Sequence, residues 1–221
     1  MSRIIIIGGI ESTYRNAQLL YEMGEDILMF YTRGQHSPGW EGVDMIDESR
    51  YEFAGRVPRT VVNGNINEWV PAMRNLKPDF IWSLGWQQIY KKALLEICPV
   101  VGIHESLLPR GAGAVPIANA ILHNETETGV SLFFLDNGMD TGPLIAQLKG
   151  HLSPQLATST ELYEEAMHLE EELLRSCLPW LKKGIVSGIS QDVRMRTEYG
   201  KIDWEKWPAE RVLRARTYPY I

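Results

Sequence analysis

Cysteine is scarce in this sequence, with only Cys98 and Cys177 among 221 residues. Neither belongs to a C-x-x-C pair or to a metal-ligand spacing, so a disulfide framework, a thiolate metal site and a dithiol redox motif are all excluded as organising features. Both lie in apolar stretches and are expected as buried free thiols of a reducing compartment, which makes the cytoplasm the expected location. Positive charge is in deficit: 22 Lys and Arg against 28 Asp and Glu leave a formal charge of −6. That balance offers no basic surface for a phosphate backbone, and nucleic acid is not an expected partner. Long apolar runs are missing too. The first one, Ile4 to Ile7, is only four residues long, too short for a signal peptide or a membrane span, so no membrane partner is expected. Metal-binding patterns are equally thin. His36, His123 and His151 stand in unrelated contexts, and no H-E-x-x-H occurs. Glu165 and His168 form one E-x-x-H without the second copy a di-iron site requires, and a solvated acidic face accounts for them. No metal is expected.

What is present is an ordinary globular composition, 44% hydrophobic, in a chain long enough for one well-formed core and a small appendage. The boundary is placed at 1–190 for the main domain and 191–221 for a C-terminal tail. β-Branched runs closed by glycine read as strands covered on both faces. Ile4 to Ile7, a helix from Thr13 to Met23 and a strand from Ile27 to Tyr31 make a strand–helix–strand unit. Residues 33 to 58 read as a long connection. Further strands are expected at Thr60 to Val62, Asp79 to Ser83, Val100 to His104, Gly129 to Leu135 and Leu144 to Leu148. Helices are expected at Asn65 to Leu76, Tyr90 to Ile97 and Val115 to His123. The strongest helix is Glu161 to Lys183, with Leu162, Ala166, Leu169, Leu173, Cys177 and Trp180 at helical spacing and Thr158 with Glu161 as a capping box. This alternation predicts an α/β fold with a doubly wound, mostly parallel sheet and a short C-terminal tail.

Gly8 and Gly9 after the first strand lack the G-x-G-x-x-G spacing of a dinucleotide site and read as a tight turn. Trp82 and Trp86 have the shape to stack a ligand, with core packing as the simpler account. The informative stretch runs from Ile103 to Gly142. His104 ends an apolar strand, on the side where open α/β sheets place ligands. A glycine-bracketed turn, Leu135-Asp136-Asn137-Gly138-Met139-Asp140-Thr141-Gly142-Pro143, follows a later strand. The residues by themselves leave two readings open: an imidazole oriented by a carboxylate, or a structural histidine with a turn aspartate.

The run Ile103-His104-Glu105-Ser106-Leu107-Leu108-Pro109, then Gly113-Ala114-Val115-Pro116-Ile117, Glu127-Thr128-Gly129-Val130 and Gly138-Met139-Asp140-Thr141-Gly142-Pro143 resemble the folate-dependent formyltransferases in order and separation. That family includes the glycinamide ribonucleotide, methionyl-tRNA and sugar N-formyltransferases. Asp79 to Ile89 resembles the strand and loop bordering the family's folate pocket. Tyr199-Gly200-Lys201-Ile202-Asp203-Trp204 and Arg214 to Tyr220 resemble the end of the catalytic domain in its sugar and tRNA members. The resemblance covers most of the chain and is weakest between 33 and 76. It implies a Rossmann-like formyltransferase fold and a reaction in which an amine attacks the formyl carbon of N10-formyltetrahydrofolate. In the family an asparagine and a histidine stabilise the oxyanion, and the histidine and an aspartate manage proton transfer. Matched by position, His104 takes the histidine role and Asp140 the aspartate role.

Gly102 occupies the position of the family's asparagine, so one side-chain donor of the oxyanion site is missing. Three accounts stand open: another donor such as a backbone N–H, Ser106 or a water; a slow or inactive member that still binds folate; or an altered form of an active enzyme. The arginine often found where Ala112 stands is absent, with Arg110 close by. The resemblance further implies that the loops Leu84-Gly85-Trp86-Gln87 and Asp136 to Gly142, with Asp136, Gly138 and Met139, offer backbone groups to the pterin ring. Ser106 and Arg110 are candidate substrate contacts, with turn capping as the alternative for Ser106. Trp204 and Tyr218 are expected to pack the tail. The tail's similarity, the end of the sequence at Ile221 and the acidic charge favour a nucleotide-linked aminodeoxysugar over tRNA as the acceptor. A non-enzymatic folate-binding module and a formyl-folate hydrolase are the alternatives, and a homodimer is among the assemblies left open.

Overall fold

The computed structural model describes residues 1–33, 46–184 and 187–217. The expectations for His36, for Tyr218 and for part of the 33–58 connection fall outside the described residues. The strand order along the sheet is β3-β2-β1-β4-β5-β7-β8, with a separate two-stranded β6-β9. In chain order the elements are β1 (Arg3–Gly8), α1 (Glu11–Glu22), β2 (Asp26–Thr32), β3 (Arg59–Val61), α2 (Val70–Leu76), β4 (Phe80–Leu84), α3 (Lys92–Leu95), β5 (Val100–His104), β6 (Ala112–Gly113), α4 (Pro116–Leu122), β7 (Gly129–Phe134), β8 (Leu144–Lys149), α5 (Ser159–Lys182), β9 (Glu198–Tyr199) and α6 (Ala209–Ala215). The fold is α/β with a mostly parallel sheet.

Two compact units divide the chain: residues 1–103 with 134–138, and residues 104–133 with 139–221. In the first, β1 pairs in parallel with both β2 and β4, and β4 pairs in parallel with β5. Ile4 to Ile7 are fully buried, and each such side chain is worth roughly 1.5–3 kcal/mol relative to exposure. That uninterrupted run is the mark of a strand covered on both faces. Ile5 and Ile7 join Tyr31, Ile81, Tyr90, Leu94 and Val100 in one core cluster. The chain leaves β1 toward β2 and β3 on one side and later returns to β4 and β5 on the other. The carboxyl ends of β1 and β4 therefore form a topological switch point, where open α/β sheets bind ligands. Thr13 ties that point together: its hydroxyl donates to the Leu84 carbonyl at 2.7 Å and accepts the Ile10 amide at 3.2 Å.

In the second unit β7 and β8 run antiparallel. Helix α5 starts where its capping box predicts, with Thr158 N–H on the Glu161 carboxylate at 2.8 Å and Glu161 N–H on the Thr158 hydroxyl at 3.3 Å. Those bonds from Thr158 hold the Glu161 carboxyl below the usual range. The buried stripe of α5 is centred one residue later than the spacing predicts. Leu162, Ala166 and Leu173 are buried as expected, joined by Tyr163, Met167, Leu174, Leu178 and Leu181. Trp180 is instead 53% exposed, with the Lys183 ammonium 5.3 Å from its ring. The Asn65 to Leu76 segment divides into a 3-10 turn, Ile66–Trp69, and α2. The helix expected at Tyr90 to Ile97 shortens to the four residues of α3. Tyr90 lies before α3, with its hydroxyl 2.7 Å from that of buried Ser83. Cys98 and Cys177 are free and half-buried, and burial pushes the Cys98 thiol up to about 12.

Candidate active site

His104 and Asp140 come together in the second unit. His104 is the last residue of β5 and is 7% exposed. Its Nε2 lies 2.8 Å from the Gly111 carbonyl and 4.0 Å from Oδ2 of Asp140. A carbonyl oxygen only accepts, so Nε2 carries a hydrogen. The Asp140 carboxylate also accepts the Gly113 amide, at 2.8 Å, through the same Oδ2. Asp140 itself sits in the left-handed region, with φ +52°. For a non-glycine residue that conformation costs of order 1–3 kcal/mol and persists only where surrounding contacts hold it.

The contacts that hold it come from the tail. The Asp140 carbonyl accepts Gln191 Nε2 at 3.0 Å and Arg196 Nη1 at 3.2 Å. Arg196 Nη2 donates to the Met139 carbonyl at 2.6 Å, and Gln191 Nε2 also donates to the Gly142 carbonyl at 2.8 Å. The histidine's acceptor is fixed from the same segment, since the Thr197 hydroxyl accepts the Gly111 amide at 2.8 Å. Strands β6 and β9 pair in parallel, Gly113 opposite Tyr199. Gly113 has φ +103°, and a Cβ there would stand 2.3 Å from the Tyr199 carbonyl oxygen. Gln191, Arg196 and Thr197 are the residues that sequence reasoning missed. They act on backbone groups, which leaves no spacing signature. Similarity of the Tyr199 to Trp204 run was the available signal that this segment matters.

Glu105, between His104 and the turn, is half-buried. Burial pushes its carboxyl above the usual range, His104 and its own backbone amide pull it down, and Asp140 pushes it up. Three titratable side chains thus share one locality. The hydroxyl of Ser106 donates to the Arg110 carbonyl at 2.8 Å, while its amide bonds the His104 carbonyl at 2.9 Å, both inside the turn. Its own carbonyl accepts the Ser131 hydroxyl at 2.6 Å. Arg110 is exposed, 3.7 Å from Glu127.

In the first unit, Gly102 stands on β5 opposite Ser83 of β4. The loop from Leu84 to Gln87 leaves β4 at the switch point. Leu84 is buried, Gly85 and Trp86 are half-buried and Gln87 is exposed. The Arg33 guanidinium lies 5.0 Å from the centre of the Trp86 ring, whereas Trp82 is wholly inside the core. Leu135 packs against the same core cluster as Trp86. The turn that follows Leu135 is closed by the Gly138 amide on the Asp136 carboxylate at 3.0 Å. Met139 belongs to the second unit and is 44% exposed. Among the described residues no group of three or more His, Cys, Asp or Glu side chains is placed to hold a metal ion, and no helix is long and apolar enough to cross a membrane.

Comparison with known proteins identifies the family. The chain belongs to the formyl transferase family, whose model matches residues 50–178. The methionyl-tRNA formyltransferase of Trichlorobacter lovleyi is 33% identical over 216 residues, spanning 92% of this chain and 68% of that protein. The fold is shared with a sugar N-formyltransferase from a Shewanella species (TM-score 0.74, 15% identity, 100% of this chain and 90% of that one). It is also shared with the N-formyltransferase from Helicobacter canadensis, solved in complex with folinic acid and dTDP-3-aminofucose (TM-score 0.71, 21% identity, 97% and 80% covered).

Proposed function

We propose that this chain transfers a formyl group from N10-formyltetrahydrofolate to the amino group of a nucleotide-linked aminodeoxysugar. The observation that carries the reading is the imidazole–carboxylate pair of His104 and Asp140, 4.0 Å apart, in a chain of the formyl transferase family. The folate and sugar parts draw support from the Helicobacter canadensis neighbour, which was solved with a folate and a dTDP-aminosugar. The loops Leu84 to Gln87 and Asp136 to Met139 are the proposed cradle for the pterin, and Ser106 and Arg110 the proposed substrate contacts. In this reading residues 1–190 carry the catalytic domain and 191–221 the tail that braces it.

The chemistry follows from charge. As the amine attacks the formyl carbon, the carbonyl oxygen becomes an oxyanion and the attacking nitrogen becomes acidic. A protonated His104 donates to the oxyanion, and Asp140 takes the proton the nitrogen sheds. Collapse of the tetrahedral intermediate breaks the bond to N10 of the folate, which leaves with a proton returned from the pair.

Gly102 favours a second reading, an impaired folate binder or a hydrolase, because it has no side-chain donor for the oxyanion. The deciding experiment mixes the protein with N10-formyltetrahydrofolate and a panel of dTDP-aminosugars and follows tetrahydrofolate release. Release that requires an amine supports transfer. Release without amine indicates hydrolysis, and folate binding with no release indicates the binder.

A further inference from the structure

We infer that Arg196 is a positioning residue of the reaction, holding the Asp140 main chain so that the carboxylate meets the Gly113 amide and His104; the inference rests on the function proposed above. Its guanidinium is spread over three acceptors. Nη2 donates to the Met139 carbonyl at 2.6 Å, Nη1 to the Asp140 carbonyl at 3.2 Å and Nε to the Glu198 carboxylate at 2.7 Å. Only 14% of the side chain is exposed. The two carbonyls are consecutive and flank the left-handed turn at Asp140, φ +52°. A planar fork with rigidly spaced N–H groups can grip two such oxygens at once, and an ammonium cannot do so with the same geometry.

The third bond sets where the grip comes from. Glu198 is in β9, whose neighbour Tyr199 lies opposite Gly113 in β6, and Gly113 is the residue whose amide meets Asp140 Oδ2 at 2.8 Å. Arg196 therefore closes a loop of contacts: Asp140 carboxylate to Gly113, Gly113 to the β9 strand, β9 to the guanidinium, and the guanidinium back to the Asp140 carbonyl. Next to it, Thr197 holds Gly111, whose carbonyl orients His104. Adjacent tail residues thus act on the two members of the pair separately. Without Arg196 the Met139 carbonyl loses this donor and the Asp140 carbonyl keeps only Gln191, so the costly turn is held less firmly and the carboxylate shifts from His104. A shift of about an ångström in such a group lowers turnover on the order of 100-fold without touching binding.

The test compares wild type with Arg196→Lys, Arg196→Met and Asp140→Asn. The first readout is independent of turnover: the chemical shift and hydrogen-exchange protection of the Gly113 amide, which report the Asp140 carboxylate. The second is kcat and KM with N10-formyltetrahydrofolate and dTDP-3-aminofucose. Expected are a Gly113 amide in Arg196→Met displaced toward its position in Asp140→Asn, a kcat reduced on the order of 10- to 100-fold with KM within about twofold, and partial recovery of both in Arg196→Lys. A Gly113 amide unmoved by Arg196→Met but moved by Asp140→Asn overturns the inference and leaves the proposed function standing. An Asp140→Asn protein with wild-type turnover overturns the proposed function, while the Gly113 readout still decides whether Arg196 holds the turn. Should Arg196→Met fail to fold, Arg196→Lys carries the comparison alone, and an unmoved amide with unchanged kcat there overturns the inference.

Discussion

One oxygen of Asp140, Oδ2, accepts the Gly113 amide at 2.8 Å and stands 4.0 Å from Nε2 of His104. The carboxylate is thereby anchored by main chain before it meets the imidazole. Held this way, the carboxylate keeps its direction, which a group that accepts a proton in the reaction requires.

Removing either member is predicted to leave a folded protein with little activity. His104→Asn and Asp140→Asn should each lower kcat by about 10²- to 10⁴-fold, and the double variant should lose little more than the worse single, because the two act as a unit. Steady-state rates with circular dichroism as the folding control check this. Losses that multiply in the double variant would separate the two roles.

Gly102 supplies a prediction of opposite sign. Gly102→Asn adds a side-chain donor at the position the resemblance assigns to the family's asparagine, and under the proposed function kcat should rise by on the order of 10- to 1,000-fold. An unchanged rate in a variant that still binds folate would mean the site uses another donor.

Gly113 is predicted to resist any side chain. Its φ of +103° and the 2.3 Å approach of a Cβ to the Tyr199 carbonyl oxygen mean that Gly113→Ala must push β9 away. A loss of about 1–3 kcal/mol in urea unfolding is expected, together with loss of turnover. Wild-type stability would contradict a close β6–β9 pairing at this position.

Glu105 makes stability depend on pH. Burial raises its carboxyl in the folded chain, so between the ordinary carboxylate range and that raised value the folded state holds a proton that the unfolded state has lost. The stability contributed by this group is present at low pH and declines as pH rises through that window. Glu105→Gln should remove the decline, gaining on wild type in urea midpoints as pH rises above the ordinary carboxylate range. Parallel curves for the two proteins would contradict the assignment.

Much of this was legible in the sequence, and for identifiable reasons. Ile4 to Ile7, a β-branched run closed by glycine, reads as a doubly covered strand, and Thr158 with Glu161 marks the start of α5. His104 and Asp140 were located by resemblance, while spacing alone left a structural alternative open. From about Val193 the sequence reads as tail, and the structure has there the short α6, Ala209–Ala215, in which Ala215 alone is buried. Trp180 was assigned to the core by a 3.6-residue count that the actual packing rotates toward Leu178 and Leu181. Arg196, Gln191 and Thr197 leave no sequence signature because the groups they hold around positions 111 and 140 are main-chain carbonyls and an amide. Only the path of the chain brings them to position 140.

The most direct measurement follows the formyl carbon itself. With N10-[14C]formyltetrahydrofolate and dTDP-3-aminofucose, the proposal predicts label in an amide on the sugar, tetrahydrofolate in equal amount, and neither product in Asp140→Asn at the wild-type rate. Label recovered as free formate, or remaining on the folate after exhaustive incubation with aminosugars, would contradict it.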